Sequence, residues 1–430
     1  MRPYLALLMY KLRMLFEKSK APLATDAASS TLQTDVIALL DSVLDEYSAD
    51  HSIIFKDESE RKKYLFGSLG AVEKGWKKSR SCMVPSCTHK SIARSHSVPR
   101  AMLSDRVADA GHVLTPALDR NQNGRLVVQK IGISDASTFP GFCAIHERLF
   151  EDFENAKKLS SERDVLLQTY RTACRELFRT NFLMQHTNDV ISIFERLRDE
   201  RLTDRFRNRL KAAGLGNVEV QQIKVSSDPL MEPWRNRLQE LKESHSYYAN
   251  ELVPGLEEAV FGGDESNITS LAIDIDLELP VGMSGMASPN EALGGQSTLL
   301  NTVFGVLPHT GGILVFMAAL AKDRAALQAY YDRWMENGLT LLSMIESWMI
   351  NGTDQWYLKP SVWEKLGMER QEAILQSITD CKQSIYEETE LSIFDDVRRD
   401  LLAAFESEHG GRSDSSYVAF IAGQKAKMTD

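Results

Sequence analysis

Three of the five cysteines and four of the nine histidines in this 430-residue sequence fall between Cys82 and His146. Cys82 and Cys87 are separated by four residues, and Cys143 and His146 are separated by two. Structural zinc sites use thiolate and imidazole ligands in tetrahedral groups of four, and two such pairs supply one group. The spacing therefore predicts that a Cys3His zinc site folds residues 82–146 back to a single point.

One alternative needs no metal. Cys143 lies beside Phe139 and Phe142, where a cysteine would serve as a small buried hydrophobic residue, and Cys82 and Cys87 would then have no shared role. Five cysteines are too few for a disulfide scaffold, and their odd number fits a reducing compartment. We favour the zinc site and predict a cytoplasmic location.

A short polar motif, SHSVPR, lies between the two pairs and places His96 nine residues after Cys87. The sequence has a zinc knuckle, which is the turn from Cys82 to Cys87, then the Ser-His-x-x-Pro motif, and then the pair Cys143 and His146 before a helix. This order resembles that of the HNH-type nucleases, the ββα-metal group. The resemblance covers residues 81–155. It implies a strand pair followed by a helix, a structural Zn²⁺ held by Cys82, Cys87, Cys143 and His146, and hydrolysis of phosphodiester bonds in DNA or RNA.

The same resemblance implies roles for individual residues. His96 would be the general base that removes a proton from water, and Mg²⁺ or Mn²⁺ on the adjoining helix would stabilise charge on the phosphate. Arg94 or Arg100 would bind the phosphate through two N–H groups. The alternative is that His96 and Arg100 pack and hydrogen-bond around a structural zinc ribbon without any catalysis.

The sequence departs from the family pattern at three places. Ser95 stands where the family has an aspartate that helps to hold the catalytic metal, and the second pair ends in His146 rather than in cysteine. No asparagine follows one turn later, where the candidates are Glu147, Asp152 and Glu154. The first departure bears most directly on binding of a catalytic metal.

Hydrophobic periodicity predicts an α+β chain with four segments. Residues 1–80 have helical spacing, 81–155 form the zinc-binding HNH-like module, 156–261 are strongly helical, and 262–430 mix strands and helices. The first sixteen residues are apolar but are interrupted by basic side chains, so we predict an amphipathic helix rather than a signal peptide. The sequence contains no uncharged apolar run of about 18 residues, so we expect no membrane partner.

The C-terminal domain contains the clearest strand pattern. Residues 268–280 alternate apolar and acidic side chains and are predicted to pair with a hairpin of strands 299–307 and 312–320. The predicted inward face consists of Leu271, Ile273, Ile275, Leu277 and Leu279. The opposite face carries Asp274, Asp276 and Glu278, which either hold a metal or form a solvated sheet face, the interpretation that we favour.

The charge distribution limits the choice of partners. A net charge of −10 argues against a protein that coats nucleic acid with a uniformly basic surface, but it is compatible with a local basic patch. Residues 171–211 are rich in arginine, interleaved with acids at pairing distances, which favours a solvated helix face over a phosphate-binding one. The arginines with the fewest acidic neighbours are Arg205, Arg207 and Arg209. We expect nucleic acid as a partner, and a partner protein at the C-terminal domain is the alternative.

Two functional hypotheses follow. The first is a metal-dependent endonuclease of HNH type, for which a role in bacterial defence against foreign nucleic acid is an analogy to the family. The second is a non-catalytic, zinc-stabilised binding or scaffold protein. Ser95 favours the second hypothesis, and the surrounding Ser-His-x-x-Pro-Arg motif favours the first.

Overall fold

A computed structural model of the protein describes residues 27–119, 125–226, 228–288, 290–293, 296–380, 385 and 387–428. The amphipathic helix predicted at the N-terminus lies outside these residues. The chain forms two compact units, one from residues up to Val72 and Phe182–Glu243, the other from Glu73–Asn181 and Ser244–Asp430. Among the described helices, none is both long enough and apolar enough to cross a membrane.

The first unit is helical. Its secondary structure comes from the helix Ala27–Ala49, the 3-10 turn His51–Ile54 and parts of the helices Glu58–Trp76, Glu162–Ala212 and Glu232–Tyr247. Apolar residues of the helix Ala27–Ala49 pack on the long helix Glu162–Ala212, and the core there includes Val43, Tyr47, Ile54, Leu202, Phe206 and Leu210. Helical spacing of apolar residues therefore forms this core.

The arginines near the end of the long helix have their hydrogen-bond and ion-pair partners within this unit. Arg205 and Arg209 both form ion pairs with Glu46, at 3.2 and 2.9 Å. The Arg207 guanidinium donates to the backbone carbonyls of Val220 and Gln221. These contacts support the interpretation of a paired helix face over that of a phosphate-binding face.

The second unit contains all the strands that the structure describes. In chain order they are β1 (Ser95–His96), β2 (His112–Asp119), β3 (Arg125–Gly132), β4 (Thr138–Phe139), β5 (Ile268–Ile275), β6 (Val281–Ala287), β7 (Asn290–Leu293), β8 (Gln296–Leu299), β9 (Thr302–His309), β10 (Gly312–Leu320) and β11 (Trp356–Leu358). Seven of them form one antiparallel sheet in the order β3-β2-β11-β6-β9-β10-β5, while β1 pairs with β4 and β7 with β8. The α+β class is therefore confirmed.

The remaining elements of this unit are helical. Its α-helices are Arg100–Arg106, Glu151–Ala156, Val253–Glu257, Arg324–Trp334, Gly338–Ser347, Pro360–Lys365, Met368–Asp380, Asp395–Glu408 and Ser415–Ala426. Single 3-10 or π turns span His146–Phe150, Tyr248–Leu252, Glu258–Gly262, Ala321–Asp323 and Trp348–Gly352.

The predicted strand and hairpin of the C-terminal region are confirmed. Strand β5 pairs with β10, so that Ile273 lies opposite Val315, and β10 returns along β9. The five predicted apolar side chains all pack on the core of the sheet. Strand β10 has the predicted bounds, β9 begins three residues and ends two residues later than predicted, and β5 ends at Ile275 rather than at residue 280.

The acidic face of β5 is explained without a metal. Asp274 accepts from the buried His309 Nε2 at 2.8 Å and forms an ion pair with Lys158 at 2.6 Å. These partners lower the pKa of Asp274, first through the hydrogen bond from Lys158 and then through His309. Among the described residues, the acids of this strand do not belong to any cluster with metal-ligand geometry.

The segment between the two candidate ligand pairs and the C-terminal region share one sheet. The hairpin of β2 and β3 joins it through β11, where Leu114 lies opposite Leu358. No pattern in the sequence predicted that this hairpin pairs with a strand more than two hundred residues later.

A buried ion pair fastens the C-terminal helices to this unit. Glu346 and Arg398 are both fully buried and hydrogen-bonded to each other. The same carboxylate accepts from the Ser392 hydroxyl at 2.8 Å and from the backbone N–H groups of Ile393 and Phe394 at 2.7 and 3.2 Å. One glutamate therefore satisfies the donors of the loop that leads into the helix Asp395–Glu408.

Candidate metal centre and the surroundings of His96

The first ligand pair lies on a tight backbone hairpin. The N–H of Cys87 donates to Val84 O at 3.2 Å, and the N–H of Cys82 donates to His89 O at 3.0 Å. Between the cysteines, Ser86 takes a left-handed conformation with φ of 60°, which reverses the chain. The hairpin thereby turns both thiols toward the same side.

The second pair lies where β4 leads into helical structure. His146 begins the 3-10 turn His146–Phe150, and the N–H of Glu147 donates to Cys143 O at 2.9 Å. Burial tends to raise the pKa of the Cys143 thiol, but the N–H groups of His146 and Ile145 outweigh it and lower that pKa. The backbone therefore stabilises the thiolate, the form of cysteine that binds metals.

The two pairs meet. His146 Nδ1 lies 3.4 Å from Cys82 Sγ and 3.5 Å from Cys143 Sγ, and Cys87 Sγ lies 3.9 Å from Cys143 Sγ. One ligand atom from each of the four residues lies within 4.8 Å of the others. A tetrahedral ion with bonds of about 2.0 to 2.3 Å requires ligand separations of this size. The structure thus brings the four predicted residues within metal-binding distance of one another.

His96 lies on β1, opposite Thr138 of β4. The ring hydrogen-bonds the backbone of Ser134, while its Nε2 is buried and has no hydrogen-bond partner in the part of the chain that the structure describes. Burial lowers the pKa of His96 to about 4, with further contributions from Arg171, Arg100 and Arg94. The imidazole is therefore neutral at pH 7. The ring packs into the module, so the nitrogen that a general base would use is enclosed.

Arg94 and Arg100 lie close enough to His96 to lower its pKa, and both are exposed. Arg94 forms an ion pair with Asp135 at 3.1 Å, in which both side chains are more than half exposed. Arg100 begins the helix Arg100–Arg106 directly after Pro99. These two predicted phosphate-binding residues are thus near His96 and open to solvent.

The residues at the expected catalytic-metal position are bound to an internal cation. Ser95 Oγ donates to Glu147 Oε2 at 2.9 Å. Arg171 donates through Nη2 to Glu147 Oε1 at 2.8 Å and through Nη1 to Glu154 Oε1 at 2.5 Å. The guanidinium is fully buried and lies 4.2 Å from the centre of the Phe150 ring. A side chain from the long helix therefore occupies the space between the two candidate carboxylates.

Arg171 is the residue at this site that sequence reasoning missed. The sequence analysis counted it among the arginines of a solvated helix face, but it is 0% exposed. Neighbouring residues give no signal, because its two carboxylate partners are 24 and 17 residues away in the chain. Only the fold brings the three charges together.

The lowered pKa of His96 predicts a pH-dependent stability. The folded-state pKa of about 4 lies below the unfolded value of 6.5, so this contribution is complete above pH 6.5 and is lost as pH falls toward 4. Between pH 7 and pH 5, the free energy of unfolding measured in urea should fall by about 2 kcal/mol more for the wild type than for His96→Gln. Release of a bound metal at low pH would lower the stability of both proteins equally, so it cancels when their losses are compared. Equal losses would contradict the burial of His96.

Comparison with known proteins adds no relative. No protein-family model matches the chain, no curated protein matches it, and no solved structure matches its fold. Its function must therefore be inferred from the residues of the site themselves.

Proposed function

We propose that Cys82, Cys87, Cys143 and His146 bind one structural Zn²⁺. The donor set of three thiols and one imidazole suits zinc, and four protein ligands complete its tetrahedral coordination without an open position. A closed site supports a structural role. All four described cysteines are free thiols, which supports the proposal of a reducing, cytoplasmic location.

We further propose that this segment is a module of the ββα-metal type. Strands β1 and β4 pair, and the helical residues 146–156 follow directly, in the order that the HNH resemblance implies. His96 occupies the first strand, and the second ligand pair lies at the start of the helical part. Both the order of elements and the placement of these residues support the likeness.

We infer that the module binds nucleic acid without cleaving it. The HNH resemblance suggests nucleic acid as the partner, and the buried Arg171, whose guanidinium is bound to Glu147 and Glu154, argues against cleavage. A Mg²⁺ or Mn²⁺ ion at that position would meet a fixed positive charge and carboxylates that are already paired. Ser95 stands in place of the family's aspartate, and its neutral hydroxyl already donates a hydrogen bond to Glu147.

The surroundings of His96 favour a second candidate, the HNH-type endonuclease. The imidazole is neutral and is hydrogen-bonded to the backbone of Ser134. No described residue hydrogen-bonds its Nε2, and all three properties suit a general base. Arg94 and Arg100 would hold the phosphate beside it. This candidate requires His96 to open to water and Arg171 to leave its carboxylates before Mg²⁺ or Mn²⁺ is bound. A role in bacterial defence belongs to this candidate, and a partner protein at residues 262–430 is compatible with both.

A cleavage assay decides between the two. The wild type is incubated with plasmid DNA and with single-stranded DNA and RNA in Mg²⁺ or Mn²⁺, beside His96→Ala. We expect no cleavage above background from either protein, with zinc content and folding unchanged in His96→Ala because the zinc ligands are other residues. Cleavage by the wild type that disappears in His96→Ala would overturn the binding proposal and establish the endonuclease.

A further inference from the structure

The zinc knuckle lies in the most basic stretch of an acidic chain. Residues 74–104 contain seven lysines and arginines and no aspartate or glutamate, although the whole chain carries a net charge of −10. The basic residues are Lys74, Lys77, Lys78, Arg80, Lys90, Arg94 and Arg100. All seven are exposed.

Three contacts hold the chain segments that carry five of these cations next to one another. The N–H of Ser91 donates to Arg80 O at 2.8 Å, and Ser81 pairs with Lys90 across the hairpin. Arg80 Nη2 donates to Gly75 O at 3.2 Å, which brings the preceding stretch alongside. We call the resulting group the knuckle surface; it consists of Lys74, Lys77, Lys78, Arg80 and Lys90.

The knuckle surface is both unpaired and fixed in place. Among the described residues, none of its five cations forms an ion pair with an acid, in contrast to Arg205 and Arg209. Trp76 anchors the stretch, since its Nε1 donates to Thr138 O at 2.9 Å and its ring packs edge-on against Phe178. The backbone that carries these cations is already ordered, so it need not be ordered when they meet a row of negative charges.

The composition of the surface distinguishes between polyanions. Among the described residues, no large hydrophobic side chain of residues 74–104 is exposed, so nothing there could insert into a lipid bilayer. Regularly spaced phosphates need only well-placed cations, and such contacts do not depend on base sequence. We propose that the knuckle surface docks the phosphate backbone of a nucleic acid, an inference that rests on the proposed function above.

The test removes charge from the knuckle surface and measures salt dependence. Lys74, Lys77, Lys78 and Lys90 are changed together to Gln, and binding to labelled duplex DNA, single-stranded DNA and single-stranded RNA is titrated between 50 and 300 mM salt. Each lost phosphate contact lowers the slope of log affinity against log salt by about 0.9 on duplex DNA, so we expect a slope smaller by about 3 to 4.

A matched control carries the same loss of four positive charges. Lys157, Lys322, Lys365 and Lys425 are exposed lysines that each form an ion pair with an acid, and they are also changed to Gln. We expect the control to keep most of the wild-type slope. Both variants should retain the metal and the thermal stability of the wild type, because none of these lysines is a candidate metal ligand.

The outcomes separate the two proposals. A wild type that binds neither DNA nor RNA overturns the proposed function. A wild type that binds, with a knuckle variant of unchanged slope, overturns only the assignment of the knuckle surface. Equal binding to poly-glutamate or to anionic vesicles would show a general attraction to negative charge and would overturn the commitment to nucleic acid. Among the three nucleic acids, the one whose affinity the knuckle variant loses most identifies the preferred form.

Discussion

Cys143→Ser is expected to release the metal and to unfold the segment around the knuckle. Structural zinc contributes on the order of 10 kcal/mol in small zinc domains, which is comparable to the whole stability of a domain. The four ligands bring together chain segments that are 55 residues apart, so their loss also frees that loop. Zinc content by elemental analysis should fall from one ion per chain to none, and proteolysis should begin within residues 81–155.

The fourth described cysteine provides the control. Cys174 is fully buried and lies outside the four-residue cluster. Cys174→Ala should cost about 1 to 2 kcal/mol through lost packing and should keep the metal. A Cys143→Ser protein with a full complement of zinc and unchanged stability would refute the assignment of the ligands.

Glu346→Ala is expected to detach the C-terminal helices. Removing one partner of a buried ion pair leaves an uncompensated charge, here that of Arg398, and costs about 3 to 5 kcal/mol. The change also leaves the backbone donors of Ile393 and Phe394 without their acceptor. Urea unfolding should show this loss as a lower midpoint, and hydrogen exchange should quicken first in residues 385–428.

Two further variants separate the effect of burial from that of charge. Arg399 adjoins Arg398 but pairs with Asp396 on the surface, where both side chains are more than half exposed. Arg399→Met should therefore cost less than about 1 kcal/mol. The double variant Glu346→Leu with Arg398→Met should be more stable than Glu346→Ala, because neither charge remains buried alone. Equal costs for Arg399→Met and Glu346→Ala would contradict the buried network.

Patterns of short range were readable from the sequence. The alternation at residues 268–280 defined a strand and its buried face, because a slip of one residue would expose every apolar side chain. The spacing of the two ligand pairs likewise reflects a tight turn and the start of a helical segment, both of which are local structures. In each case, the residues that decide the structure lie within a few positions of one another.

Structure that depends on distant partners was not readable. The sheet becomes continuous only where Leu114 pairs with Leu358. Strand β11 has three residues, which are too few for a recognisable alternation of apolar and polar side chains. Arg171 looks like its neighbours on the long helix until the fold places it between two carboxylates. The enclosure of the His96 ring depends in the same way on what packs over it, and no local pattern in the sequence predicts it.

The late arrival of β11 has a consequence during synthesis. The β2–β3 hairpin leaves the ribosome more than two hundred residues before the strand beside which it lies, a delay of about ten seconds to a minute at ordinary elongation rates. Throughout that interval, one edge of β2 offers unpaired backbone groups to any other strand. The four candidate metal ligands flank the hairpin on both sides, so they emerge early enough to close the loop around it. Capture of zinc by the nascent chain would thus hold the hairpin against misassembly until its neighbour is made.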